Sequence, residues 1–231
     1  MRHLIANGVL PVQICPFGPE TFLFELDNLT RLLPVYSVAE DMAIVANESL
    51  SFGADVQFTA TAGKLLATRL QTIGPELLLT AEAKPLSIVY ETCRALGIRH
   101  FVVARKRITL EMKNVFSVKV RSVSTATDQQ LHLDGRSADL IRGKRIAIVD
   151  DVFSTGATLN GLMTLANKAG AHLEACAAVW VEGPWTLIKH ADRIRNDRFF
   201  CLGVLPVFAK AQLYDSLSEM AAQAIDAITC R

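Results

Sequence analysis

Residues 145–159 read RIAIVDDVFSTGATL. Ile146 to Val149 are all apolar, and two aspartates, Asp150 and Asp151, follow at once. An apolar run of this kind predicts a strand buried on both faces, as in a parallel sheet covered by helices. Small hydroxyl residues and a glycine come next (Ser154, Thr155, Gly156, Ala157, Thr158), then a helix-length stretch to Gly170. Carboxylates at the end of a buried strand need a partner for their charge. A metal ion is one partner. A pair of hydroxyls is another, because ionised carboxylates only accept hydrogen bonds and a sugar diol offers two donors. The start of a helix supplies free amide groups and a positive dipole end, which suits phosphate. Gly156 lets the backbone come close, and the neighbouring hydroxyls add donors. One stretch can therefore hold a diol and a phosphate, the two ends of a ribose 5-phosphate.

Other readings of the stretch fit less well. A nucleotide-binding strand of the same shape needs a GxxxxGK[ST] loop upstream, and the chain has none. A DxDx[TV] arrangement is also missing. An acidic receiver pocket would form early in its domain, not at residue 150. A plain helix cap needs only one of Ser154 and Thr155.

Working outward, strands alternate with helices. Leu65, Leu66, Leu70 and Ile73 recur at helical spacing and stop at Gly74-Pro75. ELLLT is a short strand, and a helix from about Lys84 to Leu96 ends at Gly97. HFVVAR, ACAAVWVE and FFCLGVL are further strands, and Leu213, Leu217, Met220, Ala224, Ile225 and Ile228 mark a packed C-terminal helix. The pattern predicts a mostly parallel twisted α/β sheet with helices on both faces, with ligands at the carboxyl ends of strands. The first 50 residues look strand-rich: VLPVQICP and TFLFELD flank the turn signal FGPE, which suggests a β-hairpin, and DMAIVANES reads as another strand. The expected division is a strand-rich N-terminal hood at 1–50 and a core with a C-terminal helix at 51–231.

Composition narrows the function classes. Hydrophobic residues are 51% of the 231, enough for a large core, and the net charge of +1 creates no field to recruit nucleic acid or acidic membranes. Five scattered cysteines (15, 93, 176, 201, 230) form neither a disulfide framework nor a CxxC zinc site, so a reducing cytoplasm is expected. The five histidines share no metal-site spacing. No uncharged apolar run is long enough for a membrane span, and the N-terminus lacks a clean signal region.

AIVDDVFSTGAT resembles the phosphoribosyl-pyrophosphate (PRPP) loop of type I phosphoribosyltransferases. SFGADVQFTATAGKLLATRL resembles the segment before the core in the xanthine enzymes, and LHLDGRSADLIRGKRIAIVDD also resembles the adenine enzymes. LLLTAEAKPL is similar to the family's pyrophosphate loop, and VVARKRITL to the start of its mobile catalytic loop. The resemblance covers about residues 50–185. It implies the type I phosphoribosyltransferase fold and a purine enzyme that joins a base to PRPP and releases pyrophosphate. In that reading Asp150 and Asp151 hold the ribose diol, and Ser154, Thr155, Gly156, Ala157 and Thr158 hold the 5-phosphate. Ala81, Glu82, Ala83 and Lys84 take pyrophosphate, in a turn where the family often has a cis peptide.

Between Arg105 and Arg121 lie six basic residues and one acid, Glu111. A solvated hairpin is the bland account. A lid fits the position better, because the oxocarbenium-like state must be shielded from water and the leaving pyrophosphate needs cations. Arg105 and Lys106 match the family's ARK and are the catalytic cations expected. Lys113, Lys119 and Arg121 are weaker candidates. Nucleic-acid binding is disfavoured, since only Phe116 in the run could stack. The implied cofactor is Mg²⁺, which keeps several waters and binds through substrate phosphates. Asp150 and Asp151 would reach it indirectly, through substrate and water. For the base face, Ser51, Phe52 and Trp185 are candidates, each also suited to the core. The hypoxanthine–guanine branch has Asp where this chain has Ser154, and serine is a poor base, so xanthine or adenine is favoured. The expected partners are PRPP and a purine base, in a homodimer, with no nucleic acid and no membrane. The rivals are a non-catalytic PRPP sensor resembling the purine repressors, whose winged helix is not seen in the first 40 residues, and a pyrimidine or orotate enzyme.

Overall fold

The structure is a computed structural model and describes residues 12–51, 55–120 and 129–229. The chain lays down four strands, β1 (Ile14–Pro16), β2 (Thr21–Leu26), β3 (Leu29–Ala39) and β4 (Met42–Val45), then helices α1 (Glu48–Ser51) and α2 (Val56–Gln71). Next come β5 (Leu77–Ala81), α3 (Leu86–Leu96), β6 (Phe101–Ala104), β7 (Phe116–Val120) and β8 (Gln129–Leu133). α4 (Gly135–Ile141), β9 (Arg145–Phe153), α5 (Ala157–Lys168) and β10 (His172–Glu182) follow. The short α6 (Trp185–Lys189) and α7 (Ala191–Arg195), β11 (Phe199–Leu205), β12 (Val207–Ala209) and the long α8 (Ala211–Thr229) come last.

Thr59–Asp151 and Gly156–Ala177 form one compact unit. At its centre β5 pairs in parallel with β6 (Leu79 opposite Val102) and with β9 (Leu78 opposite Ala147). These strands belong to a sheet of order β11-β10-β9-β5-β6. Leu78, Leu79 and Ile146 to Val149 are wholly buried, each large aliphatic side chain contributing about 1.5–3 kcal/mol by leaving water. α3 buries Ile88, Val89, Thr92 and Cys93, and α5 buries Leu159, Leu162, Leu165 and Ala166. Burial pushes the Cys93 thiol up to about 12, which suits a core residue and not a nucleophile. Because the strands are parallel, the carboxyl ends of β5, β6 and β9 lie along one edge of the sheet. That edge is where a strand-to-helix turn exposes amide groups.

The second unit comprises the described residues up to Phe58, Val152–Thr155, and those from Ala178 on. Its five-stranded sheet has the order β1-β12-β4-β3-β2. Phe24, Phe58 and Trp180 pack as an aromatic cluster, Phe24 edge-on to both rings at 5.7 and 4.7 Å. A further core forms where Val207, Ala209 and Leu217 meet Ile14, Met42 and Trp185. The expected β1–β2 hairpin is not formed. β1 instead pairs in parallel with β12, Ile14 opposite Val207, and β2 pairs with β3. The turn signal at Gly18-Pro19 ends β1 as read, but a turn signal does not say which strand becomes the partner.

Candidate active site

β9 carries its apolar run straight into the acidic pair. Asp150 is 5% exposed and Asp151 8%. The Asp151 amide donates to the Asp150 Oδ1 at 2.9 Å. Burial, and then the charge of Asp151, hold the Asp150 carboxyl well above the usual carboxylate range; the positive charge of Lys106 acts in the opposite direction without cancelling them. The pair is thus arranged to receive donors or a cation. Among the described residues no cluster of three or more His, Cys, Asp or Glu could hold a metal ion. Two carboxylates alone fit Mg²⁺ carried mostly by substrate oxygens and water.

Past β9 the backbone turns at Gly156, whose φ of 79° is left-handed, and α5 begins at Ala157. A Cβ at Gly156 would strain this turn. The Asn160 amide reaches the Gly156 carbonyl at 2.9 Å, so the amides of Ala157, Thr158 and Leu159 precede the first helical bond and form the donor end of the helix. No acidic residue in the first turn offsets the helix dipole. Ser154, Thr155, Ala157 and Thr158 are half-buried. From α6, the Thr186 hydroxyl donates to the Ser154 carbonyl, and the Lys189 ammonium to the Thr155 carbonyl at 3.2 Å.

The turn after β5 is built differently. Ala81 is buried, the Glu82–Ala83 peptide is cis, and Ala83 and Lys84 are exposed ahead of Pro85 and α3. The Glu82 amide donates to the Ala104 carbonyl at the end of β6. Its carboxylate accepts the Lys106 amide at Oε1 (2.6 Å) and pairs through Oε2 with the Arg105 Nε at 3.0 Å. Glu82 thereby ties the turn after β5 to both Arg105 and Lys106. Arg105 also exchanges backbone hydrogen bonds with His132, 2.8 Å in each direction. The His132 ring is buried, with Nδ1 at 2.8 Å from the Ser117 hydroxyl. A cavity of about 650 Å³ is lined by Lys106, Arg107, Ile108, Gln129, Gln130 and His132.

Among the other sequence candidates, Lys113 donates its amide to Asp134 Oδ1 at 2.8 Å, and Lys119 is exposed on β7. Arg121 and Phe52 lie outside the described residues, as does the side chain of Ser51, whose backbone closes α1. Trp185 is half-buried against the Val207–Ala209–Leu217 core. Sequence reasoning passed over Glu82 as an anchor, Arg107 and His132 as cavity lining, and Thr186 and Lys189. Glu82, His132, Thr186 and Lys189 act through partners distant along the chain, so no local pattern marks them, and Arg107 is placed only by the folded cavity.

Residues 56–204 match the phosphoribosyl transferase domain. The xanthine phosphoribosyltransferase of Chloroflexus aurantiacus is 31% identical over 64% of this chain and 69% of its own length. The adenine phosphoribosyltransferase of Methanococcus maripaludis is 38% identical over 42% of this chain and 51% of its own. Among solved structures, the adenine phosphoribosyltransferase of Thermoanaerobacter pseudethanolicus shares the fold. Its TM-score is 0.54 at 20% identity, over 65% of this chain and 82% of that one.

Proposed function

The chain belongs to the phosphoribosyl transferase domain family, and on that premise we propose that it is a purine phosphoribosyltransferase, moving ribose 5-phosphate from PRPP to a nucleobase with release of pyrophosphate. The observation that carries this reading is the buried Asp150–Asp151 pair followed directly by the left-handed turn at Gly156 and the open start of α5. The two carboxylates accept the ribose hydroxyls. The first amides of α5, with the Ser154, Thr155 and Thr158 hydroxyls, bind the 5-phosphate. The turn from Ala81 to Lys84 takes pyrophosphate, with Arg105 and Lys106 offsetting the charge that builds as the glycosidic C–O bond breaks. When bound, Mg²⁺ would neutralise pyrophosphate charge; Asp150 and Asp151 are the residues that would face it. The segment from Arg105 to Arg121 excludes water. Most of the acceleration then comes from positioning and fixed electrostatics.

Ser154 cannot serve as a strong base, so the favoured substrate is one that gives up its ring proton readily or is held by main-chain groups: xanthine or adenine. Ser51, Phe52 and Trp185 remain the proposed base face. The proposal includes a homodimer in a reducing cytoplasm, with a hood at 1–50 and a core at 51–231. No helix among the described residues is long and apolar enough to cross a membrane. The test is a spectrophotometric screen of adenine, guanine, hypoxanthine, xanthine, uracil and orotate with PRPP and Mg²⁺. Xanthine or adenine should show a kcat/KM at least about tenfold above hypoxanthine, a gap of about 1.4 kcal/mol. A preference for hypoxanthine or guanine overturns the Ser154 argument, and no turnover with any base overturns the enzyme.

A further inference from the structure

Two side chains of α6 hold consecutive carbonyls of the phosphate-type loop: the buried Thr186 hydroxyl takes that of Ser154 and the exposed Lys189 ammonium that of Thr155. A trans peptide is planar, so its N–H points opposite to its C=O. The Ser154 carbonyl shares a peptide with the Thr155 amide, and the Thr155 carbonyl with the Gly156 amide. Drawing both carbonyls toward α6 therefore turns both amides the other way. Successive amides aimed to one side make a concavity for an anion, and these two run on into the donor end of α5. A hydroxyl at a wholly buried position is costly unless bonded, and Thr186 is bonded to this loop. Fixing a lysine on a carbonyl costs side-chain entropy, which the loop contact must offset.

We propose that Thr186 and Lys189 are positioning residues for the 5-phosphate: they touch no ligand, and they fix the peptide planes that do. The inference rests on the phosphoribosyltransferase reading above. It does not need turnover to be tested, because binding of ribose 5-phosphate reads it directly.

Thr186→Val and Lys189→Met, singly and combined, should be titrated by calorimetry with ribose 5-phosphate and, separately, with pyrophosphate. The double variant should lose about tenfold or more in ribose 5-phosphate affinity and keep its pyrophosphate affinity to within about twofold. Thr186→Ser and Lys189→Arg, which preserve the donors, should restore binding. In turnover, KM for PRPP should rise while kcat stays within about twofold, the mark of lost ground-state binding. Unchanged ribose 5-phosphate affinity overturns the proposal. Equal losses for both ligands also overturn it, since they mark general damage. Should Thr186→Val fail to fold, Lys189→Met alone decides. A wild-type chain that binds neither ribose 5-phosphate nor PRPP fails the functional reading first, and this inference with it.

Discussion

β5 and β9 both lead into a helix, and each carries an acid near its carboxyl end, Glu82 just past β5 and Asp150 within the last residues of β9, but they use that acid in opposite ways. Glu82 is half-buried and engaged at both oxygens, with the Lys106 amide and the Arg105 guanidinium. Asp150 is almost wholly buried beside a second carboxylate, and it is held toward its protonated form. The first acid is satisfied by the protein itself and shapes the turn. The second is buried at a cost that the proposed ligand would relieve. Two acids near the carboxyl ends of neighbouring strands are thus told apart by where their hydrogen bonds go.

The comparison breaks most visibly at the acidic pair. Asp150→Asn with Asp151→Asn should weaken PRPP binding by about a hundredfold or more, about 2.7 kcal/mol, without lowering the melting temperature of the ligand-free chain. Calorimetry with PRPP and Mg²⁺ measures it, and unchanged affinity would remove the pair from the site.

The engaged acid should behave differently. Glu82→Ala frees the Lys106 amide and Arg105 together, and kcat should fall about tenfold with PRPP affinity much less affected. Glu82→Gln keeps an acceptor for the Lys106 amide and loses only an ion pair whose arginine is half exposed, a contact worth under about 1 kcal/mol. It should stay near wild-type turnover. If Glu82→Ala also turns over normally, Glu82 is not what sets the lid cations.

The smallest effect is in stability against pH. The native pKa of Asp150 is raised above its unfolded value, near 3.9. The unfolded chain therefore releases this proton first, and the associated stability is full below about pH 4 and lost as pH rises through the native pKa. Asp150→Asn lacks this loss. The melting temperature of the variant should gain on that of the wild type from about pH 4 upward, and the gain should level off once both states of the wild type are ionised. A gap that does not widen with pH would mean that Asp150 already has a partner.

Much of this was readable from contiguous residues. The β9–α5 segment needs only its own apolar run, acids, hydroxyls and glycine to declare itself. The parallel sheet follows from strands and helices in alternation. β3 was not legible, because Pro34 in its middle reads as a breaker. In the structure Pro34 stands where β3 passes from β2 to β4: Thr21 is its last partner on one side, and pairing resumes at Val35 with Val45 on the other. The missing N–H falls at the hand-over and disrupts neither ladder. The β1–β12 pairing joins two three-residue strands from opposite ends of the described chain, and no local pattern encodes that. On the site, the acids and the loop glycine were visible, whereas Thr186, Lys189 and the grip of Glu82 on Arg105 depend on folded geometry.

Gly161 has one more effect. On the second turn of α5, it faces Val120 and Leu131 so closely that a Cβ would lie 2.7 Å from a Val120 methyl and 3.1 Å from one of Leu131. Lys168, at the end of the same helix, holds the Ser117 carbonyl at 2.9 Å. The β7–β8 ribbon is therefore bolted at its root to the helix that begins at the phosphate loop. A side chain at position 161 would pry that ribbon from α5 without touching a single charge.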